Sequence, residues 1–600
     1  MRDSNLALRP RRYEILAFLF MFAFGLAMIA NSLGAADATW FWYAVLFRKG
    51  EHLYSQLHLA LQPLFVFETA GSMAFFGKSW LAGRLAAVIH LAALSIGFIL
   101  ITRSSDWPGW QKALLVCSAF FMEISTIAFR LDDYHVLAEL FVVYSIVLLL
   151  LIHRGVSLRS SFVLSGLLGS FSALSFATRV NNGGALFIGA GIALLCLVPV
   201  RRWLALATFV AAAALTLVVV VRMTGDSFHD YWMCTVTKAA ASKGGSNNIL
   251  TYPFVLPWHT VQFLQGMDNW QPVLLFAVVC AVWAYVIRPA LPVRTMRATG
   301  RVAVGLALIL ISVLRTHHRG LRGSLLFSVA ALATFLLYGL GIGAFLSWIG
   351  SGIAHRRFQL WNRLQILLLI PLGQLAGEAL STSAVHGEIY MPMAILFLLL
   401  PLAFPMELKV RGRSLLLAAA TVLLCCGFVY RVIHPYRWWN FHNVTMFRER
   451  QWFRHPIYGP MIIERDMLGL FQPVCSDIDA RDGHRALLSL PFSFANYFCD
   501  VPPWHDHVQT WYDTSGEGTI DALMKQLQET PPEWIFYERQ PEAIRLHEQV
   551  YNAGRPIPHR YLDQLIEQKI SEGAWKVVYR NSYNSAPDLK QDWLLIRTKE

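Results

Sequence analysis

Three polar clusters interrupt an otherwise apolar chain, and each is of a kind that can do chemistry. The first is Asp37, within Gly34-Ala35-Ala36-Asp37-Ala38-Thr39-Trp40. A carboxylate in that setting reads as a helix cap or as a base. The second is Arg130-Leu131-Asp132-Asp133-Tyr134-His135, where adjacent carboxylates stand beside a cation and an imidazole. Capping the next helix explains one of those acids, not both. The third is the stretch 381–390 with His386, Glu388 and Tyr390, with Arg179-Val180-Asn181-Asn182 as a candidate partner segment. A cation with amides suits a phosphate, although an arginine snorkelling toward headgroups reads the same way.

Such groups are costly in or near hydrocarbon, so the elements that carry them matter. The chain is 56% apolar and only 15% charged, with mean hydropathy +0.45. Runs such as 140–152 and 211–221 hold no charge. About 20 helical residues cross a bilayer core. Spans are predicted near 13–33, 80–101, 112–129, 137–153, 161–178, 184–200, 203–222, 271–288, 302–314, 324–349, 364–380, 391–407 and 414–433. The predicted class is mainly α: a polytopic membrane protein of about 13 transmembrane helices, followed by a small C-terminal α/β soluble domain. The arginine-rich start precedes a run too long for a signal peptide, so 13–33 reads as a retained span.

The net charge of +13 would point to nucleic acid in a soluble protein. Here the basic residues crowd the turns after the spans: His153, Arg154 and Arg159; Arg201 and Arg202; Arg288 to Arg301; Arg356, Arg357 and Arg363; Lys409, Arg411 and Arg413. All fall inside if the N-terminus is cytoplasmic and the span count is right, which accounts for the charge without nucleic acid. The C-terminal domain and the three polar clusters then lie outside, at a cell inner (plasma) membrane. The segment 302–314 fits least well. It is short, and Arg315, His317, His318, Arg319 and Arg322 follow it on the wrong side, so a half-span or interfacial helix is the other reading.

The membrane domain is expected over 1–435, with long outer segments at 34–79 and 225–270, and the extracytoplasmic domain over 436–600. Segment 34–79 is aromatic and amphipathic, which predicts helices on the membrane surface. Segment 225–270 holds Lys243-Gly244-Gly245-Ser246-Asn247-Asn248, expected to be a mobile loop. In the C-terminal part, strands are predicted at 485–490, 534–537, 576–579 and 593–597, and helices at 520–528 and 559–571. Of the 8 cysteines, Cys475 and Cys499 lie there and would be free to pair outside the cytoplasm, which spacing alone does not decide. His505-Asp506-His507 reads as a solvated turn before a metal site.

After Asp37 come Gly50-Glu51-His52-Leu53-Tyr54, then Gln62-Pro63-Leu64, Gly77-Lys78-Ser79 and Gly83-Arg84-Leu85. This order resembles the first outer loop of the GT-C glycosyltransferases that use polyprenyl-phosphate sugars, in the protein mannosyltransferase and aminoarabinose transferase-like branch. There an acidic motif after the first span precedes a Gly-x-x-x-Tyr stretch, a Pro-Leu and a Gly-x-Ser entry into the second span. The likeness continues through 130–135 and 178–183 and more weakly through His386 to Tyr390. It covers about 10–200 well and the rest by architecture. The sequence departs where Ala38 follows Asp37, and where Ser55 and Gln56 stand at positions often holding another Asp.

The resemblance implies a lipid-linked sugar donor, an acceptor that is lipid, protein or polysaccharide, and inversion at the anomeric carbon. It makes Asp37 the likeliest base, with Asp132 and Asp133 as further catalytic candidates. Arg179 and Arg130 are then the donor-phosphate ligands, and Tyr54, His135, Asn181, His386 and Tyr390 contact substrate. A divalent metal stays open, since no cluster has clear ligand spacing. Two readings compete: a multi-span transporter or flippase of lipid-linked sugars, for which Glu123 and Glu139 are possible buried acids, and an envelope glycan polymerase or ligase.

Overall fold

A computed structural model of the chain describes residues 11–31, 35–124, 134–155, 157–198, 201–238, 363–381, 390–403 and 411–433. In the C-terminal part it describes 437–438, 441–442, 450–455, 458–479, 486–512, 515, 517–552, 554–582 and 592–598. The predicted spans 271–288, 302–314 and 324–349 and the tract 243–248 lie outside the described residues.

In chain order the first helices are α1 (Arg12–Asn31), α2 (Ala35–Arg48), α3 (Leu64–Phe76), α4 (Trp80–Thr102) and α5 (Gly109–Ile124). Then come α6 (Tyr134–His153), α7 (Leu158–Phe176), α8 (Val180–Leu197), α9 (Arg202–Met223) and the short α10 (Phe228–Trp232), which runs into a π turn. After a 3-10 turn at Arg363–Leu368 follow α11 (Leu369–Ser381), α12 (Tyr390–Ala403) and α13 (Arg411–Ile433). Every predicted span within the described residues is a helix. Segment 34–79 holds α2 and α3, as its amphipathic stretches predict.

Of the described helices, 5 are long and apolar enough to cross a membrane. Their outward sides stay apolar: Leu16 is 61% exposed, Ile188 65% and Leu215 66%. Faces like these suit lipid, not water, and the chain is a polytopic membrane protein. Inside the bundle, small residues let helices approach. A side chain at Gly169 would collide with the Phe209 carbonyl of α9, and one at Gly183 with the Phe176 backbone, which closes the turn from α7 to α8.

The C-terminal part contains β1 (Arg437–Trp438), β2 (Phe441–His442), β3 (Arg450–His455), β4 (Gly459–Glu464), α14 (Arg465–Asp479), β5 (Leu487–Leu490) and α15 (Phe494–Cys499). It continues with α16 (Glu517–Glu529), β6 (Trp534–Arg539), α17 (Pro541–Tyr551), α18 (Pro558–Ser571), β7 (Lys576–Asn581) and β8 (Asp592–Arg597). The main sheet has the order β5-β6-β8-β7, parallel between β5 and β6 and antiparallel elsewhere. All the predicted strands and helices of this part are present. Cys475 and Cys499 form a disulfide that ties α14 to α15.

The sheet is covered on both faces, and side-chain alternation sorts its residues. Ile535 and Tyr537 of β6, Leu594 and Ile596 of β8 and Leu488 of β5 pack with Ile520, Leu523, Leu562 and Ile566 of α16 and α18. Trp534 and Phe536, with Trp593 and Leu595, face the other way, toward Phe471 of α14 and Phe494 and Phe498 of α15. That second core does not stop at the C-terminal part. It runs on through Tyr458 and Met461 into Phe41, Trp42, Val45, Tyr54 and Phe65 of segment 34–79.

Candidate active site

The site is assembled around α2, which packs against α3 on one side and the C-terminal part on another. Trp40 packs against Phe65 of α3 at 4.5 Å between ring centroids and against Tyr134, the first residue of α6, at 5.9 Å. The adjacent Phe41 meets Tyr458 and Tyr497 edge-on, each at 5.0 Å. Lys78, in the turn from α3 to α4, pairs with Asp500 at 3.4 Å and lies 5.5 Å over Trp42. Tyr458 also donates to Asp500 at 3.3 Å.

Beneath α2 the starts of α3, α6 and α8 converge. The Leu64 N–H donates to the Ala177 carbonyl at 3.3 Å, and Phe65 lies 5.8 Å from Tyr134. Helix starts present unpaired N–H groups and a partial positive charge, so this end of the bundle favours an anion. Arg179 adds a full charge there. It is the extended residue before α8, with φ −155, and its side chain is buried.

Below this lies a buried polar network. Glu139, fully buried in α6, accepts from Asn182 Nδ2 of α8 at 3.2 Å and from Gln374 Nε2 of α11 at 2.7 Å. Arg179 and the also fully buried Glu123 of α5 act on it electrostatically. A buried carboxylate is tolerated when donors and a cation surround it. In addition, His90 of α4 meets Glu68 of α3 at 2.7 Å.

Position 37 lies in the first turn of α2, one turn before Trp40. Arg130, Asp132 and Asp133 lie outside the described residues, in the segment that leads directly into Tyr134. His135 is buried, its ring tilted against that of Tyr134 at 3.9 Å between centroids. Asn181 sits half-buried where α8 meets Gly377 of α11, while its neighbour Asn182 makes the bond to Glu139. His386 lies outside the described residues, and Tyr390 is the first residue of α12. Asp37, Arg179, His135 and Asn181 are thus carried by three helix starts at one end of the bundle.

Tyr54 is packed away: its ring is 1% exposed and meets Tyr231 of α10 at 5.4 Å. Its hydroxyl donates to the Leu61 carbonyl at 3.2 Å. Burial, with Tyr231, Asp226 and Cys234 alongside, pushes its phenol well above the ordinary value, so it stays protonated. Its backbone is held by Asp226, just past α9, which accepts from Tyr54 N at 3.0 Å, Ser55 N at 2.9 Å and Ser55 Oγ at 2.6 Å. His52 Nδ1 lies 3.8 Å from the same carboxylate, and Tyr231 donates to Gln62 Oε1 at 2.5 Å.

The motif reading named Asn182 but did not single out Asp226, Glu68, His90 or Gln374. The signal for Glu68 and His90 was available, since each is an ionisable side chain in an apolar helix. Among the described residues, no group of three or more His, Cys, Asp or Glu side chains gathers to hold a metal. His507 bonds Gln526 at 2.8 Å, as a structural turn would.

No protein-family model matches the chain, and no curated protein matches it in sequence. Solved structures similar to it include ArnT from Cupriavidus metallidurans bound to undecaprenyl phosphate, at TM-score 0.40, and the apo state of that protein, at 0.38. Each is 11% identical over 97% of both chains, a likeness too loose to carry an argument about this protein.

Proposed function

We propose that this chain is a membrane glycosyltransferase that moves a sugar from a polyprenyl-phosphate-linked donor to an acceptor at the membrane face bearing the C-terminal part. The observation that supports it is the convergence beneath α2: position 37 stands one turn from Trp40, whose ring contacts Tyr134, the residue that follows Asp133. The two acidic motifs of the sequence therefore approach each other where helix starts and Arg179 favour an anion.

In this reading Asp37 removes a proton from the acceptor hydroxyl or amine as that atom attacks the anomeric carbon. The bond from the anomeric carbon to the phosphate oxygen breaks, and polyprenyl phosphate leaves. Arg179 and Arg130 stabilise the charge that develops on the phosphate. Asp132 and Asp133 orient the acceptor or an arginine, and the donor tail remains in the bilayer. No step is routed through a metal. The Cys475–Cys499 bridge supports an oxidising, extracytoplasmic setting for the C-terminal part, and the basic turns support a cytoplasmic N-terminus.

The second reading, a transporter of lipid-linked sugars, draws on the fully buried Glu123 and Glu139 within the bundle. The deciding experiment assays release of polyprenyl phosphate from a panel of lipid-linked sugars by purified wild type, Asp37→Asn, Asp132→Asn and Asp133→Asn. Asp37→Asn is expected to lose a factor of about 10²–10⁴ in turnover while still binding donor. Full activity in Asp37→Asn would move the base to Asp132 or Asp133. No release by wild type, together with movement of the same lipids across proteoliposome membranes, would replace the transferase reading with the transporter.

A further inference from the structure

At the opposite end of the bundle α1 and α5 begin, α4 and α6 end, and α13 begins. There Glu14 accepts from Arg103 Nε at 3.1 Å and Nη2 at 2.7 Å, and from the Arg11 backbone N–H at 3.1 Å. Its carboxylate is fully engaged. Arg154 donates to Ser104 Oγ at 3.0 Å, and Arg413 bonds Gln111 while lying 4.9 Å over Trp107.

Lys112, in the first turn of α5, is treated differently. It is only 6% exposed, yet it has no hydrogen-bond or ion-pair partner among the described residues. The charges acting on it are the cations Arg11 and Arg154 and the acids Glu14 and Asp106. Glu14 is already bound to Arg103, which leaves the exposed Asp106 as the other acid acting on Lys112 among the described residues, against Arg11 and Arg154. A cation whose stem is buried and whose head stands among like charges is favoured by an anion that joins it.

The surroundings say which anion. Tyr13 packs against Gly109, and Tyr13 and Trp110 are each 49% exposed beside the cluster. Amphipathic rings of this kind sit at headgroup depth. Leu16, Leu19 and Phe20 continue outward-facing down α1, an apolar wall for acyl chains.

We propose that Lys112, Arg11 and Arg154 form a binding site for the phosphate of an anionic phospholipid, in the leaflet opposite the C-terminal part. The site stands independently of the transferase reading. A soluble phosphate offers the same charge but would leave the aromatic pair and the apolar wall unused.

The test is native mass spectrometry of the intact purified chain, titrated with phosphatidylglycerol and with phosphatidylcholine of the same acyl chains. Phosphatidylglycerol is expected to bind more tightly. Lys112→Gln and Arg154→Gln are each expected to weaken it about fivefold, at roughly one basic residue's share of headgroup attraction. Arg154 is exposed, so Arg154→Gln decides the matter even if Lys112→Gln fails to fold. Equal affinity for the two lipids, or unchanged phosphatidylglycerol affinity in Arg154→Gln, overturns the proposal. Displacement of phosphatidylglycerol by an equal concentration of inorganic phosphate overturns its assignment to a lipid.

Discussion

Asp226 fastens segment 34–79 to the end of α9. Its carboxylate takes two backbone N–H groups and the Ser55 hydroxyl, while its own side chain is fully buried. Removing such an acceptor leaves buried donors unpaired, at about 1–3 kcal/mol. Asp226→Ala is therefore expected to lower stability by about 2 kcal/mol or more, read as a drop in unfolding temperature in detergent. Asp226→Asn, which keeps one acceptor oxygen, is expected to cost less. The same contacts explain why Tyr54, a substrate-contact candidate by motif, is spent on packing: its ring closes on Tyr231 and its backbone on Asp226.

Among the elements, α14 and α15 shape the surface that meets α2. Phe471 of α14 stacks on Phe498 of α15 at 4.2 Å, and Tyr497 of α15 reaches Phe41 of α2. The Cys475–Cys499 bridge closes a loop of sequence separation 24 between them, which in the chain-entropy account contributes about 3 kcal/mol. Cys475→Ser with Cys499→Ser is expected to lower the unfolding temperature and to expose α15 to limited proteolysis. Asp500 directly follows the bridge and holds Lys78, so the same double variant is expected to loosen the turn between α3 and α4.

For the molecule as a whole, acid acts on a histidine buried in the C-terminal part. His559 lies inside the C-terminal part, 4% exposed, its Nε2–H donating to the Thr510 carbonyl at 3.0 Å. Burial pushes its imidazole down to about 3 from 6.5, with the Thr510 bond opposing and the neighbouring His547 adding to the shift. The unfolded chain therefore takes up this proton first. Stability from the neutral imidazole is present above about pH 6.5 and is lost as pH falls toward 3. His559→Gln, which can still donate to Thr510, is expected to flatten that loss, measured as unfolding temperature across this pH range.

Much of this architecture was legible in the chain. Long uncharged runs can form only helices in lipid, because every backbone group must be bonded within the segment. That is why each predicted span in the described residues is a helix, as α4 and α9 illustrate. Short apolar runs likewise marked β6 and β8, whose successive side chains face different layers. The grouping of distant residues was not legible. Glu139 meets Gln374 across 235 positions, Tyr54 meets Asp226 across 172, and Lys78 meets Asp500 across 422. No local periodicity encodes such pairs, since they follow from how helices stack, not from any one helix. By itself the sequence determined the elements, their amphipathic faces and the motifs on them. Only the tertiary structure decided that α2 shares a core with the C-terminal part, that the starts of α3, α6 and α8 meet, and that the stem of Lys112 is buried with no ion-pair partner among the described residues, because burial and long-range pairing are properties of the packed chain.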